Sequence, residues 1–334
     1  MDYLQLSREF LRALRGGRSQ TAFSRRLGYT TNVAYGWESG RRAPNTSEVL
    51  RAAERLRIDV SGVFERFFHP SPPPELSQFE ATSPEFVAAV LRAMRGTSSM
   101  QSIAERVGLS RPAVSRILAA KTEVRLPTFF RLVDVLTRRL LDLLSDLVDV
   151  SQLPAAGEEW QRIEALRRLA VENPLSEAVP RFLELDAYAA AAKHSPGWIA
   201  ERMGISLADE ERTLADLELA GIVRWDGSHW RLEKQRSIDT TRNPETGRRL
   251  LEYWTERGRT RIANAGDGRF SYLVFGCDEP TLTAINDLRL RFYREMRALV
   301  ASAPSATRVM VATVHLFPLD VGMSDVPDPG SRPS

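Results

Sequence analysis

The sequence predicts a mainly α, multidomain chain: two five-helix domains in tandem, then a three-helix unit closed by a β-hairpin, then a small α+β unit in β-α-β order. Three observations predict it. Ile103-Ala-Glu-Arg-Val-Gly-Leu-Ser110 recurs almost letter for letter as Ile199-Ala-Glu-Arg-Met-Gly-Ile-Ser206, and a looser copy, Phe23-Ser-Arg-Arg-Leu-Gly-Tyr-Thr30, stands earlier. A shift of 80 residues lays Leu14, Phe23, Gly28, Ala34 and Trp37 on Met94, Ile103, Gly108, Val114 and Ile117, the mark of a diverged duplication. Helical spacing gives way to alternation at Ile222 to Leu232 and again from Phe270 to Phe275.

Each octapeptide offers an apolar residue, a small one, and an apolar residue three positions further on. A glycine able to take positive φ follows, then an apolar plug and a Ser or Thr able to cap the next helix. That is a helix, a tight turn and a second helix, written three times.

The first domain spans residues 1–68. Ser7 is the expected cap of its first helix, with Phe10, Leu11 and Leu14 on one face and Gly16-Gly17 as the stop. Ser19 caps a second helix, whose inner face is Phe23 and Leu27 with Ser24 as the small contact, and a third runs from Thr31 to Ser39. Thr46 to Leu56 and Val60 to Phe68 complete five helices. Residues 69–82 read as a semi-rigid linker, because His69-Pro-Ser-Pro-Pro-Pro-Glu75 lacks four amide donors. Ser83-Pro84 then restarts the pattern for a second domain over 83–150. Beyond Ile117 a three-residue insertion is expected to move the offset to 83, so that Pro44 falls on Pro127. The block closes with helices Phe129 to Leu136 and Leu140 to Val148.

Residues 151–175 form a linker and a helix around Trp160, Ile163 and Leu166. The third copy occupies 176–235, with helices Phe182 to Ala192, Trp198 to Met203 and Leu207 to Leu219. A hairpin follows around Asp226-Gly227, the dipeptide favoured in type I′ turns, so three helices plus hairpin make a winged helix. Residues 236–320 hold a polar helix from Glu245 to Ala263 interrupted at Gly258, and a loop at Gly266 to Gly268. A strand at Phe270 to Phe275, a helix at Thr281 to Ala301 and a strand at Arg308 to Phe317 complete the β-α-β unit. Residues 321–334 are expected to be a disordered tail.

Composition bounds function loosely. The chain has 334 residues, enough for two or three separate cores, and no stretch of about 18 uncharged apolar residues. Its single cysteine, Cys277, excludes an internal disulfide and fits a reducing cytoplasm. Residues 1–67 carry 12 Lys+Arg against 7 Asp+Glu and residues 81–150 carry 10 against 7, whereas residues 151–334 carry 24 against 27. The basic half coincides with the first two helix-turn-helix copies, as expected if that half faces a polyanion.

Gln20, Phe23, Leu27-Gly28, Trp37-Glu38 and Gly40-Arg41-Arg42-Ala-Pro44 together resemble the lambda-repressor-like (Xre-type) DNA-binding domain over residues 7–67. The resemblance implies that Gln20, Arg41 and Arg42 contact phosphates and that Thr31, Asn32 and Tyr35 read base edges of double-stranded DNA in the major groove. Asn32 is then the candidate for bidentate pairing with adenine, and the Thr31 methyl for contact with thymine. Gly36 departs from the family, which often carries a long polar residue there. The second block resembles the family less closely: Met100 replaces the phosphate-holding Gln and Pro112 matches Asn32. Its Arg111, Ser115, Arg116 and Lys121 still point to DNA; the alternative is a structural or dimerising role. Residues 165–320 resemble an uncharacterised domain family that follows lambda-repressor-like domains in predicted bacterial regulators. The carriers are the winged helix, Tyr272-Leu-Val-Phe275, the helix with Arg289, Arg291 and Arg294, and Leu316-Phe-Pro-Leu319.

The third copy departs from the first two in charge. Its second helix sets Asp209, Glu210, Glu211, Asp216 and Glu218 against Arg212, which phosphates repel, so a packing or partner surface is expected. His69, His194, His229 and His315 are scattered without metal spacing, and Cys277 reads as a small buried hydrophobe. Trp225 and Trp230 read as a cross-strand aromatic pair. The expectation is a cytoplasmic, sequence-specific, non-catalytic transcriptional regulator without cofactor or metal, a homodimer through its carboxy-terminal half, which also takes a protein or small-molecule effector. The alternative is an antitoxin-like or defence-associated protein that binds a protein partner through its acidic half and regulates its own promoter.

Overall fold

The computed structural model describes residues 1–69, 72–96, 98–233, 244–264, 267–303 and 305–319, and it is mainly helical. The first block contains α1 (Tyr3–Arg15), α2 (Gln20–Arg26), α3 (Val33–Ser39), α4 (Thr46–Arg55) and α5 (Val60–Phe68). Asp2, not Ser7, caps α1, its carboxylate accepting the amides of Leu4 and Gln5. An anion one turn earlier suits the positive end of the helix better than a hydroxyl. Ser7 lies buried inside α1 and donates to the Leu4 carbonyl at 2.8 Å. Leu6, Phe10, Leu11 and Leu14, at three- and four-residue spacing, form the buried stripe.

The second block repeats the plan with α6 (Pro84–Arg95), α7 (Met100–Val107), α8 (Arg111–Leu118), α9 (Leu126–Thr137) and α10 (Leu140–Ser145). The offset of 80 holds to the end: α4 starts at Thr46 and α9 at Leu126, α5 at Val60 and α10 at Leu140. The expected three-residue insertion is therefore wrong. Pro44 corresponds to Val124, because their carbonyls do the same work: the Leu126 amide donates to Pro44 at 3.0 Å and the Thr46 amide to Val124 at 2.9 Å. Pro127 sits instead in the first turn of α9, where a missing amide costs nothing. Gly40 and Ala120, also 80 apart, both take left-handed backbone, φ 76° and 56°. The first block meets that demand with glycine and the second bears the strain of a Cβ there.

The two blocks do not bury separate cores. One apolar cluster runs from Leu6 to Ile163, and Leu76, within the expected linker, is buried in it from a 3-10 turn at Pro74–Gln78. Residues 70 and 71 of that linker lie outside the described residues. Phe10 meets Phe130 edge to face at 5.5 Å, and Phe64 meets Phe86 at 5.2 Å, so rings from one block seal the other. The helix α11 (Gly157–Glu172) joins this core to the next: Ile163 belongs to the first and Leu169 to the second.

The second core gathers α12 (Leu175–Leu183), α13 (Asp186–Ala189), α14 (Trp198–Met203), α15 (Leu207–Leu219) and a hairpin of β1 (Val223–Trp225) with β2 (Trp230–Leu232). The expected helix Phe182 to Ala192 is split, because Leu185 is extended, φ −68° and ψ 138°. Trp225 pairs with Trp230, which makes the hairpin loop four residues long rather than a two-residue type I′ turn. The Asp226 carboxylate closes it by accepting the amides of Ser228 and His229, at 2.9 and 2.7 Å, and so turns His229 inward.

The carboxy-terminal part holds α16 (Pro244–Ala263), unbroken at Gly258, and α17 (Glu279–Ser302). Neither expected strand forms. Residues 270–275 and 308–317 run without a ladder, and among the described residues the only sheet is the β1–β2 hairpin. Alternation makes a segment extended but supplies no partner, and two strands without a third or a covering face are marginal. Tyr272 is 93% exposed and Leu273 79%. Cys277 is exposed, not buried. Residues 234–243, 265–266 and 320–334 lie outside the described residues, and with them part of the Gly266 loop and all of the expected tail.

Candidate nucleic-acid interface

In the first block Ser24 locks α2 to α3. Its buried hydroxyl donates to the Gln20 carbonyl at 2.8 Å and accepts the Ala34 amide at 3.1 Å, which is why a small polar residue stands at the contact. Glu38 is buried beneath the turn and receives Arg15 Nε at 2.6 Å and Gln20 Nε2 at 2.9 Å. Gln20 is thus held at the start of α2 by a neutralised carboxylate.

Thr31 and Asn32 lie exposed just ahead of α3, which starts two residues later than expected. Asn32 is its cap, with Oδ1 accepting the Tyr35 amide at 3.2 Å. Bidentate pairing with adenine needs that same oxygen as acceptor, so base reading by Asn32 competes with its role as cap. Thr31 and Tyr35 carry no such conflict. Tyr35 is exposed and the Arg41 guanidinium lies over its ring at 5.0 Å. Arg42, one of the three expected phosphate contacts, already pairs with Glu48 at 3.1 Å. Nothing lies within 4 Å of where a Gly36 Cβ would be, so that face of α3 is open.

In the second block Ser110 caps α8 through the Ala113 amide at 3.3 Å. Arg111, Ser115, Arg116 and Lys121 are all exposed, and among the described residues none of the three cations is paired with a carboxylate. The offset of 80 lays Thr31 on Arg111, Asn32 on Pro112, Tyr35 on Ser115, Gly36 on Arg116 and Arg41 on Lys121. The open position of the first block is therefore an arginine in the second. Met100 replaces Gln20 and is partly buried against the core.

The third copy is built differently. Glu210 faces inward from α15, fully buried, and accepts the amides of Gly197 at 3.3 Å and Ala200 at 2.5 Å at the start of α14. His194 Nε2 stands 3.6 Å from it. Burial pushes the Glu210 carboxyl up, and burial with the neighbouring His229 holds His194 below its ordinary range. Tyr188 bridges the two histidines: its hydroxyl meets His194 Nδ1 at 3.2 Å and accepts the Trp230 amide at 3.0 Å, while its ring meets that of His229 at 5.5 Å. His229 Nε2 reaches the Ala191 carbonyl at 3.0 Å. Histidines 35 residues apart in sequence thus close one polar network, and no local spacing announces it. Trp225 and Trp230 lie 5.4 Å apart, as a cross-strand pair. On the outer face of α15, Glu211 and Glu218 are exposed and Asp209 is half-buried, and the single arginine, Arg212, is tied to Asp209 at 2.7 Å. The hairpin arginines are also neutralised: Arg224 pairs with Glu233 at 3.0 Å and Arg231 with Asp226 at 2.7 Å.

Among the described residues no three His, Cys, Asp or Glu side chains converge to hold a metal ion, and no helix is long and apolar enough to cross a membrane. Residues 11–63 match the helix-turn-helix family, Xre/lambda-repressor-like, a stretch that holds α2, α3 and α4 with the end of α1 and the start of α5. No curated protein and no solved structure matches the chain.

Proposed function

We propose that the protein is a sequence-specific, non-catalytic regulator that binds double-stranded DNA through the outer faces of α3 and α8. The observation that carries the reading is the set Arg41, Arg111, Arg116 and Lys121, exposed on or just after these helices and free of carboxylate partners among the described residues. Cations left unneutralised on the face of a helix-turn-helix are what phosphates replace counterions on. Thr31 and Tyr35 in the first block, and Arg111, Ser115 and Arg116 in the second, are the proposed base readers. Gln20, Arg41 and Lys121 are the proposed phosphate contacts, Asn32 is the cap that orients α3, and Arg42 contacts phosphate only by exchanging Glu48 for it.

The third copy, as a winged helix, faces protein rather than DNA in this reading. The exposed apolar residues Tyr272, Leu273, Val274, Phe317 and Leu319 suit a second copy of the chain or an effector better than water. Selection of bound duplexes from a random library by the full chain tests the proposal. Enrichment of a common motif supports it; retention of arbitrary duplexes without enrichment, or of none, contradicts it.

A further inference from the structure

The structure assigns the first two blocks the role of a built-in dimer: one chain reads both halves of an inverted, bipartite DNA site whose two halves differ in sequence. This rests on the DNA-binding reading above. What it adds is that the second half-site is read by the same chain rather than by a second one.

The blocks are related by a local two-fold axis, not by a translation. The antiparallel bridge between Asn45 and Arg125 is flanked by reciprocal bonds, Thr46 amide to Val124 carbonyl and Leu126 amide to Pro44 carbonyl, whose members are interchanged by the offset of 80. An antiparallel pair of this kind has a two-fold axis perpendicular to it. The helices obey the same exchange: α1 packs on α9, its image α6 packs on α4, and α5 packs on its own image α10. Self-complementary contacts of that sort define an isologous dimer interface, whereas tandem beads joined head to tail would pair unlike surfaces. Here the interface is internal and shares one apolar core.

Only a short stretch of chain separates the axis from each reading helix. α3 ends at Ser39 and α8 at Leu118, six and seven residues before the bridge residues Asn45 and Arg125. Chain segments of that length span at most roughly 20 to 25 Å, so the two helix ends lie within about 50 Å of one another, compatible with the spacing of about 34–36 Å between half-sites one turn apart. Duplication followed by divergence has changed the readers: Thr31, Tyr35 and open Gly36 face one half, Arg111, Ser115 and Arg116 the other. Arginine favours guanine in the major groove, so the second half-site carries guanine at the Arg116 position.

The test is selection from a random duplex library by the full chain, by Arg116→Ala and by Tyr35→Ala, both exposed positions that the fold does not need. The expected motif has two unlike halves in inverted orientation. Arg116→Ala relaxes positions in one half only, weakening binding to the wild-type site by roughly 5- to 150-fold, and Tyr35→Ala relaxes positions in the other half only. A palindromic motif relaxed symmetrically by either variant, as when two chains each insert the same helix, overturns the built-in dimer and leaves the DNA-binding reading standing. A one-half motif, or one that neither variant alters, also overturns the built-in dimer. Absence of any motif with the wild-type chain overturns both.

Discussion

The second and third copies of the repeated octapeptide agree at six of eight positions, yet the helices that follow them face opposite worlds. α8 opens with Arg111 and presents Arg116, and Lys121 follows its end, all three exposed and without a carboxylate partner among the described residues. α15 presents Glu211 and Glu218, spends its one arginine on Asp209, and turns Glu210 inward to hold α14. The octapeptide encodes the turn, because the turn needs only a glycine, a plug and a cap. The ligand is decided by the next helix, where the sign of the exposed charge either attracts phosphates or repels them.

The largest effect that would break this contrast comes from reversing charge on α8. Arg111→Glu, Arg116→Glu and Lys121→Glu combined should lower affinity for a selected duplex by more than about a hundredfold at physiological salt, measured by fluorescence anisotropy. Unchanged affinity would place the contact elsewhere. In the third copy the same scale of effect should appear in stability instead. Glu210→Ala leaves two buried amides unsatisfied, and should cost about 1–3 kcal/mol in the unfolding of that unit while duplex affinity stays at the wild-type value. A loss of DNA binding with intact folding would show that the third copy takes part in recognition.

Gly36→Arg sharpens the comparison within the basic half. It installs in the first block the residue the second already has, into open space on α3. It should stabilise that helix by about 0.5–1 kcal/mol and steepen the salt dependence of binding by about one phosphate contact. An unchanged slope would mean that this face of α3 points away from the backbone.

The smallest effect is on pH. His194 is held below its ordinary value of about 6.5 by burial and by His229, so its contribution to stability is present above that pH and is lost as pH falls through the folded-state value. Glu210, pushed up by burial, acts in the opposite sense, contributing most below its ordinary value of about 4.5 and less as pH rises. Between pH 7 and 5 the melting temperature of the third unit should therefore fall further in the wild type than in His194→Gln. An equal fall in both would remove His194 from the pH response.

What was legible in the sequence is what depends on near neighbours. Ser19, Ser83, Ser110 and Ser206 cap the helices they precede, and the duplication was visible at an offset of 80 through Trp37 and Ile117. At Pro44 the repeat is hidden, because the fold uses the backbone carbonyl there and the sequence marks only the proline ring. The shared core was invisible for a different reason. An apolar stripe such as Leu6, Phe10 and Leu14 states that it will be buried, not which block will bury it, and the proline-rich stretch suggested a spacer where Leu76 is packed.

The site shows the same limit. Thr31, Tyr35, Arg111, Ser115, Arg116 and Lys121 follow from the family resemblance, and all six lie exposed. The side-chain partners of Asn32, Arg42 and Gln20 come from capping and from the distant residues Glu48 and Glu38, which register does not reveal. At the carboxy end, alternation from 270 to 275 and from 308 to 317 implies a pair of strands that the fold does not form, since pairing is a property of two segments and a covering face. The link between His194 and His229 through Tyr188 likewise exists only once the hairpin folds back on α13.

The most direct measurement is amide hydrogen exchange of the full chain with and without a duplex it selects. Added protection is predicted in α3, α8 and the turns that follow them at 40–45 and 119–125, with α15 and the hairpin unchanged. Protection confined to residues 207–232, with α3 and α8 exchanging as in the free protein, would contradict the assignment of DNA recognition to the first two copies.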